Sequence, residues 1–480
     1  MKSENKIKIL LVYPPFCTPE IPPFSITNIY SFLKNNLNDD FEIKILDLNI
    51  DFHNLCFPEF KEKFQKIDNL LSKDYQSLSE QYKIESTKIY SHNNKKILNN
   101  EKPDYFDELF LKIVNEKPDL VGISLVYSSQ DFYANILIRK LNELNIKTII
   151  GGPAVNEKLL KISNYSSIDK YELLNKIIEI FKIDINNINN NEIKNDKIID
   201  KHIQDFSIHD YSKYFIPNIT IPLQSSSTCY YRKCAFCTHF DRHTIYKEFL
   251  VDEIKETILK SKAKNFFFID DMIHKRRLLE IANMIKPLNV NWACQLKPIK
   301  ELDFETLKIL YESGLKYIIW GVESASQRVL DLMNKGTNIN DVKNVLENTK
   351  KVGIKNSIYI MFGFPTETES ELNETIDFLE KNKENIDLIS ISIFGLHENS
   401  DIFKNPEKYS IKKINIEERT MLEPKITYEI DVGINTEKAI VLRKRYANLI
   451  LKIDKFPKNM NFFRGHFLNV LDNTKSFKIK

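Results

Sequence analysis

Thr220-Ile-Pro-Leu-Gln-Ser-Ser-Ser-Thr-Cys229-Tyr-Tyr-Arg-Lys-Cys234-Ala-Phe-Cys237-Thr-His-Phe240 is an apolar run followed at once by three closely spaced thiols. The run reads as a buried strand, and the thiols as residents of the short loop after it. So short a loop closes no relaxed disulfide framework, and an odd count leaves one cysteine over. Three thiolates converging on one place are metal chemistry. A four-iron cluster usually takes four cysteines; three would leave one iron with open coordination, the condition for catalysis. The alternative is a structural zinc site with His239 as fourth ligand. No second Cys-x-x-Cys or His pair follows at zinc-ribbon spacing, and the middle of a large α/β chain has little need of a metal staple.

Outward from this loop the chain alternates. Toward the amino end, strands are expected at Ile7–Tyr13, Phe41–Leu46, Leu120–Val126 and Thr148–Ile150, with helices near 26–37, 105–114 and 133–144. Strand-helix alternation implies a doubly wound parallel sheet, with ligands at the carboxyl ends of its strands. Residues 57–100 read as a polar, helix-leaning insertion, and the Asn-rich, Gly-free stretch 182–218 as a linker and irregular lead-in. Toward the carboxyl end, strands are expected at Phe266–Ile269, Val290–Leu296, Tyr317–Val322, Ser357–Phe362 and Leu388–Phe394, each after a helical pattern. With the strand before Cys229 these make a partial barrel of six βα units. Asp270-Asp271, Glu323-Ser324 and Gly363 stand at strand ends, where such barrels keep their chemistry. The expected organisation is therefore 1–181, linker 182–218, barrel 219–396 and a mostly helical tail 397–480.

The cysteine loop resembles that of the radical S-adenosylmethionine (radical SAM) enzymes, C-x3-C-x2-C with an aromatic before the last cysteine. Phe236 supplies the aromatic; the first gap, Tyr230-Tyr231-Arg232-Lys233, is one residue longer than usual. Asp270-Asp271, Gly321-Val-Glu323-Ser324 and Gly363-Phe-Pro365-Thr-Glu-Thr resemble further elements of those enzymes that carry a cobalamin-type domain. The resemblance implies a [4Fe-4S] cluster on Cys229, Cys234 and Cys237. It implies S-adenosylmethionine (SAM) beside Phe236, its amino group near Asp270 and Asp271, its ribose and adenine near Glu323, Ser324 and Gly363. A carboxylate accepts from an ammonium or from ribose hydroxyls, and glycine lets an adenine lie against backbone.

The first sheet resembles the cobalamin-binding domain that precedes many such barrels, through Tyr13-Pro14-Pro15, Gly122-Ile-Ser124-Leu125 and Gly151-Gly152-Pro153. The resemblance implies cobalamin against Tyr13, Ser124, Leu125, Gly151, Gly152 and Pro153, the glycines letting backbone approach the ring or its nucleotide tail. Two departures stand beside it. Ile168-Asp-Lys-Tyr-Glu172 replaces the usual acidic Gly-Glu-Gly-Glu stretch, and the cobalt-ligating D-x-H-x-x-G motif is absent. Asp51-Phe-His53-Asn-Leu-Cys56 imitates that motif without its glycine, and His53 reads as a solvated loop histidine.

The activity implied is reductive cleavage of SAM to a 5′-deoxyadenosyl radical, with an electron from a flavodoxin- or ferredoxin-like donor. Its use would be cobalamin-assisted methylation of an unactivated carbon in a peptide or other natural product. The alternative is cobalamin-independent hydrogen abstraction for epimerisation, cyclisation or rearrangement; a zinc-stapled, non-enzymatic binding module is a third reading. The net charge of +3 is too small to point to nucleic acid or a membrane, and Cys17, Cys56 and Cys294 are too scattered for a second cluster. An apolar content of 42%, no signal-like start and no transmembrane-length run fit a cytoplasmic protein in a reducing compartment. Tyr230 and Tyr231 read equally as substrate-stacking or packing residues, and Arg443-Lys444-Arg445 as a solvated helix face or an acidic-peptide dock.

Overall fold

A computed structural model describes residues 6–67, 72–182, 198–238 and 245–472. His239 and residues 183–197 of the expected linker lie outside the described residues. The first sheet holds β1 (Ile7–Tyr13), β2 (Phe41–Asp47), β3 (Leu120–Ser124), β4 (Lys147–Gly151) and β5 (Tyr165–Ser167) in the order β2-β1-β3-β4-β5. All neighbouring strands in it pair in parallel. β3 is buried at every position because helices cover both faces, which is why it reads as unbroken apolar sequence.

The second sheet holds β6 (Thr220–Leu223), β7 (Asn265–Phe268), β8 (Asn291–Leu296), β9 (Leu315–Glu323), β10 (Lys355–Phe362) and β11 (Leu388–Ile393). They pair in parallel and in sequence order, with β6 and β11 at the two edges. This is the partial barrel the alternation predicts. Its inner face is not closed. On β10, Tyr359 and Met361 are half-buried while Ile358, Ile360 and Phe362 are sealed. Tyr359 and Met361 pair in register with Ser390 and Ser392 of β11, which are also partly open. Parallel register puts paired side chains on one face, so an accessible stripe runs along the inside of this edge.

The tail is helical from Thr436 onward, in Thr436–Ile453 and Arg464–Asp472. Ahead of it stands an antiparallel hairpin, β12 (Ile411–Glu417) and β13 (Lys425–Ile430), which the helical expectation for the tail left out. Its burial alternates along β13, a two-residue period that a search for helical spacing passes over. The terminal helix lies against the barrel strands. Tyr317 Oη donates to Arg464 O at 3.0 Å, and Asn469 exchanges bonds of 3.0 and 2.9 Å with the backbone of Asn218.

The stretch read as a polar insertion forms the helices Pro58–Phe64 and Ser72–Leu98. Their apolar faces (Phe60, Phe64, Tyr75, Tyr82) join the hydrophobic core that fills the second sheet. Among the described residues no helix is long and apolar enough to cross a membrane.

Candidate functional site

The cysteine loop is held on three sides. At its start, Asp270, 4% exposed just past β7, accepts from Ser225 N, Ser225 Oγ and Ser226 Oγ, each at 2.8 Å. Behind it the segment Lys247–Phe249 returns along Ser225–Ser227 through backbone bonds of 2.9 and 3.0 Å. At its far end Ala235 N donates to Met333 O at 2.8 Å and Ala235 O accepts from Ile402 N at 3.2 Å. In between, Tyr231 Oη donates to Asn334 O at 2.9 Å. Ala235 is sealed among Val329, Met333, Phe364 and Ile402, which excludes water from one side of the loop.

Cys229, Cys234 and Cys237 are free and half-buried, and Cys237 is close enough for its charge to be felt at both Cys229 and Cys234. Burial pushes the Cys229 thiol up, and pushes Cys234 up to about 11 against the pull of the Lys335 and Lys297 ammoniums. Thiols so placed gain most from a cationic group that takes them as thiolates. Among the described residues no three Cys, His, Asp or Glu side chains converge tightly enough for a single ion. A cube bound through three separate irons asks instead for thiols spread around a shared volume.

Two carboxylates reach this volume. Asp271 is near enough for its charge to raise the Cys229 thiol. Glu323 ends β9 with a left-handed φ of 67°, and its Oε1 accepts from Lys335 Nζ at 2.7 Å, both side chains 10% exposed. Lys335 also stands 5.6 Å from the Phe236 ring centroid, and its charge is felt at Cys234. A Cβ at Gly321 would come within 2.9 Å of Lys335 Nζ and 3.0 Å of Glu323 Oε1, so the pair packs into the space a side chain there would take. Lys297 completes the cationic side: it donates to Lys335 O at 3.0 Å and lies 3.4 Å over the Tyr231 ring. Burial pulls its pKa down to about 8.

Of the residues the sequence singled out, these geometries bring together the three cysteines, Phe236, Asp271 and Glu323. The others serve the frame. Both Asp270 oxygens are taken by the loop serines, so it braces the loop, and burial pushes its carboxyl up to about 6. Ser324 is fully buried, 3.3 Å from Thr375 Oγ1 and accepting from Ser326 N. Gly363 gives its N–H to Glu367 Oε2 at 2.7 Å, and the Ala439 methyl occupies the space its missing side chain leaves. Lys335, Lys297 and the bracing serines were missed. The run Ser225-Ser226-Ser227 and the Asn334-Lys335-Gly336 turn were the only local signals for them.

At the first sheet Tyr13, Ser124, Leu125 and Gly151-Gly152-Pro153 gather at the carboxyl edge. Ser124 Oγ donates to Ser25 Oγ at 2.8 Å, and Tyr13 Oη lies 3.5 Å from Cys17 Sγ. Gly152 has a φ of 117°, and a Cβ there would strike Leu125 O at 2.2 Å. Its glycine is therefore required by this backbone crossing, where a ring or nucleotide tail had been expected to approach. His53 is a correction. It is not a solvated loop histidine but fully buried, with Nε2 at 2.8 Å from Cys17 O and Nδ1 at 2.8 Å from Tyr82 Oη. The insertion helix covers it, and burial pulls its pKa down to about 3. What the edge leaves open is an apolar ledge, Tyr127 at 54% and Ile168 at 92% exposed, after β3 and β5. Apolar side chains exposed at a strand-end edge are of the kind that a flat macrocycle would cover.

Residues 223–379 match the family model of the radical SAM superfamily. The chain carries a radical SAM domain. Such a domain implies SAM and a [4Fe-4S] cluster. Among curated relatives, this chain is 26% identical over 159 residues to an uncharacterised methyltransferase of Pyrococcus horikoshii (31% of this chain, 34% of that protein). It is 28% identical over 173 residues to the bacteriochlorophyllide d C-12(1)-methyltransferase of Chlorobaculum tepidum (34% and 37%). The chain thus spans about a third of the length of these relatives. Over nearly its whole length it shares a fold with TsrM of Kitasatospora setae, a radical SAM methyltransferase solved with tryptophan and a SAM analogue: TM-score 0.62, 13% identity, 98% and 96% of the two chains covered. OxsB, a cobalamin-dependent radical SAM enzyme solved with aqua-cobalamin, gives a TM-score of 0.62 at 13% identity, covering 92% and 67%.

Proposed function

We propose that this protein cleaves SAM reductively at a cluster held by Cys229, Cys234 and Cys237, and uses cobalamin to methylate an unactivated carbon. The observation that carries the reading is the three-thiol loop, braced by Asp270 and faced by Asp271 and the Lys335–Glu323 pair. The cluster and cobalamin, when bound, supply the electron that splits the sulfonium to a 5′-deoxyadenosyl radical and a carrier for the methyl group.

The chain's share is holding and shielding. Cys229, Cys234 and Cys237 would hold the cluster as thiolates and leave it a site open to the amino and carboxylate groups of SAM. Asp271 accepts from the methionyl ammonium. Glu323, fixed in place by Lys335, accepts from ribose hydroxyls. Phe236 and Ala235 keep water from the cluster side. Tyr127 and Ile168 would seat the ring of cobalamin, with Ser124 and Ser25 beneath. A flavodoxin- or ferredoxin-like protein supplies the electron, and the substrate is a small molecule or peptide segment able to enter the open stripe of the barrel.

Anaerobic reconstitution tests this reading. About four irons per chain are expected, with 5′-deoxyadenosine formed from SAM and dithionite. Cys234→Ala should lower both to background. A cysteine variant that still cleaves SAM would overturn the assignment. Failure of the wild type to bind aqua-cobalamin would move the chemistry to hydrogen abstraction alone.

A further inference from the structure

Arg464 opens the terminal helix and points its guanidinium into the second sheet. The group lies 5.5 Å from the Phe267 ring centroid and 6.0 Å from that of Tyr359, and Nη2 donates to Tyr359 Oη at 2.6 Å. That hydroxyl is its only hydrogen-bond acceptor among the described residues, and no carboxylate there lies within the 4 Å of an ion pair. The charge of Arg464 is also felt at Glu20, which sits against the backbone N–H groups of Arg464, Gly465 and His466 but makes no ion pair with the guanidinium among the described residues. A guanidinium carries five donors in a planar fork matched to a carboxylate. Here two aromatic rings flank the fork, and most of its donors have no protein partner among the described residues.

Its position says what would use them. Tyr359 is in register with Gly321, and Gly321 is the residue against which Lys335 and Glu323 pack. Tyr359 also pairs with Ser390 on the half-open stripe of β10 and β11. On the other side, the charge of Arg464 is felt at Tyr127, on the open carboxyl edge of the first sheet. The guanidinium thus stands between the two sheets, one residue pair from the SAM-side carboxylate.

We propose that Arg464 and Tyr359 form the anchor for a carboxylate of the substrate, which makes the substrate class a carboxylic acid bound acid-first in the barrel. The assignment rests on the reading of the barrel interior as the substrate space. Guanidinium and phenol donate to the two carboxylate oxygens, while Phe267 and the Tyr359 ring hold the fork in plane. The remainder of the acid then lies along the open stripe toward Glu323.

Benzoate and its uncharged analogue benzyl alcohol are the probes, read by saturation-transfer NMR on the full-length, anaerobically reconstituted protein. Benzoate should bind and benzyl alcohol should not. Arg464→Met should weaken benzoate at least about tenfold, the loss of a charged hydrogen-bonding partner. Arg464→Lys should retain part of the binding, and Tyr359→Phe should weaken it by a few-fold. Thermal melts establish that each variant is folded; if Arg464→Met is not, Arg464→Lys and Tyr359→Phe decide. Equal binding by wild type and the Arg464 variants overturns the proposal, as does no binding at all. Displacement of benzoate by S-adenosylhomocysteine would assign the guanidinium to the SAM site, and displacement by inorganic phosphate at lower concentration to a phosphate; either overturns it. SAM cleavage by the same wild-type sample is read separately, so failure of the radical reading and failure of the anchor are distinguishable.

Discussion

Lys335 is the residue on which the geometry around Glu323 turns. Burial draws its ammonium down, and the Glu323 carboxylate and nearby Cys234 more than restore it, leaving its pKa raised. Removing one partner of such a pair leaves an uncompensated charge, which costs about 3–5 kcal/mol where burial is complete and less where some water reaches. Lys335→Met should therefore shift the urea midpoint down by an amount worth about 3 kcal/mol. The double variant Lys335→Met/Glu323→Gln should recover most of the loss. A single variant as stable as the wild type would mean that the pair is solvated. Glu323 was legible in the sequence because it ends a strand beside Gly321; Lys335 was not, since its link to Glu323 exists only once the turn after Leu332 folds back. Gly152 and Gly363 were legible as positions needing glycine, but what fills their space is Leu125 O and Ala439. Which neighbour a glycine makes room for is a tertiary fact.

A loop that follows β1 of the first sheet caps the terminal helix. Glu20 is 2% exposed, and burial pushes its carboxyl up to about 8, outweighing the helix N–H groups and Arg464 that favour its charge. The folded chain therefore keeps a proton on Glu20 at pH values where the unfolded chain, near 4.5, has released it. The sign follows: this contribution to stability is complete below pH 4.5 and is lost as pH rises toward 8. Its full size is on the order of a few kcal/mol. Glu20→Gln, which cannot ionise, should flatten the fall in melting temperature between pH 5 and pH 9, and should melt higher than the wild type at the upper end. Parallel curves for the two proteins would show that Glu20 ionises freely in the fold. The strands and this helix were readable from periodicity. The β12–β13 hairpin was not, and neither was the cap, which joins residues more than four hundred apart.

Across the whole molecule, the helix Ser72–Leu98 makes one body of two sheets that the sequence presents as separate. Tyr82 Oη meets His53 Nδ1 at 2.8 Å on the first-sheet side, and Tyr75 Oη meets His466 Nδ1 at 3.0 Å on the terminal helix. Ser79 Oγ accepts from Asn459 Nδ2 at 3.1 Å, and the Tyr90 ring lies tilted against Phe16 with centroids 5.2 Å apart. The core of the second sheet runs without a break into Tyr75, Tyr82, Phe57 and Phe60. Domains joined only by a linker open independently; a shared, buried interface forbids that. Both tryptophans of the chain, Trp292 and Trp320, lie in the second sheet, so their fluorescence reports that half, while far-UV circular dichroism reports all helices and strands. The two signals should follow one urea transition in the wild type. Tyr82→Ala removes a buried ring that touches Phe57, Phe60, Phe64, Phe215 and Phe463 and strips His53 Nδ1 of its partner. A loss of about 3–5 kcal/mol is expected at that site. Because the ring sits on the boundary, the circular-dichroism transition should move to lower urea and separate from the fluorescence transition. Two transitions already in the wild type, or a Tyr82→Ala protein whose signals stay superimposed, would mean that the helix decorates the first sheet without fastening it to the second.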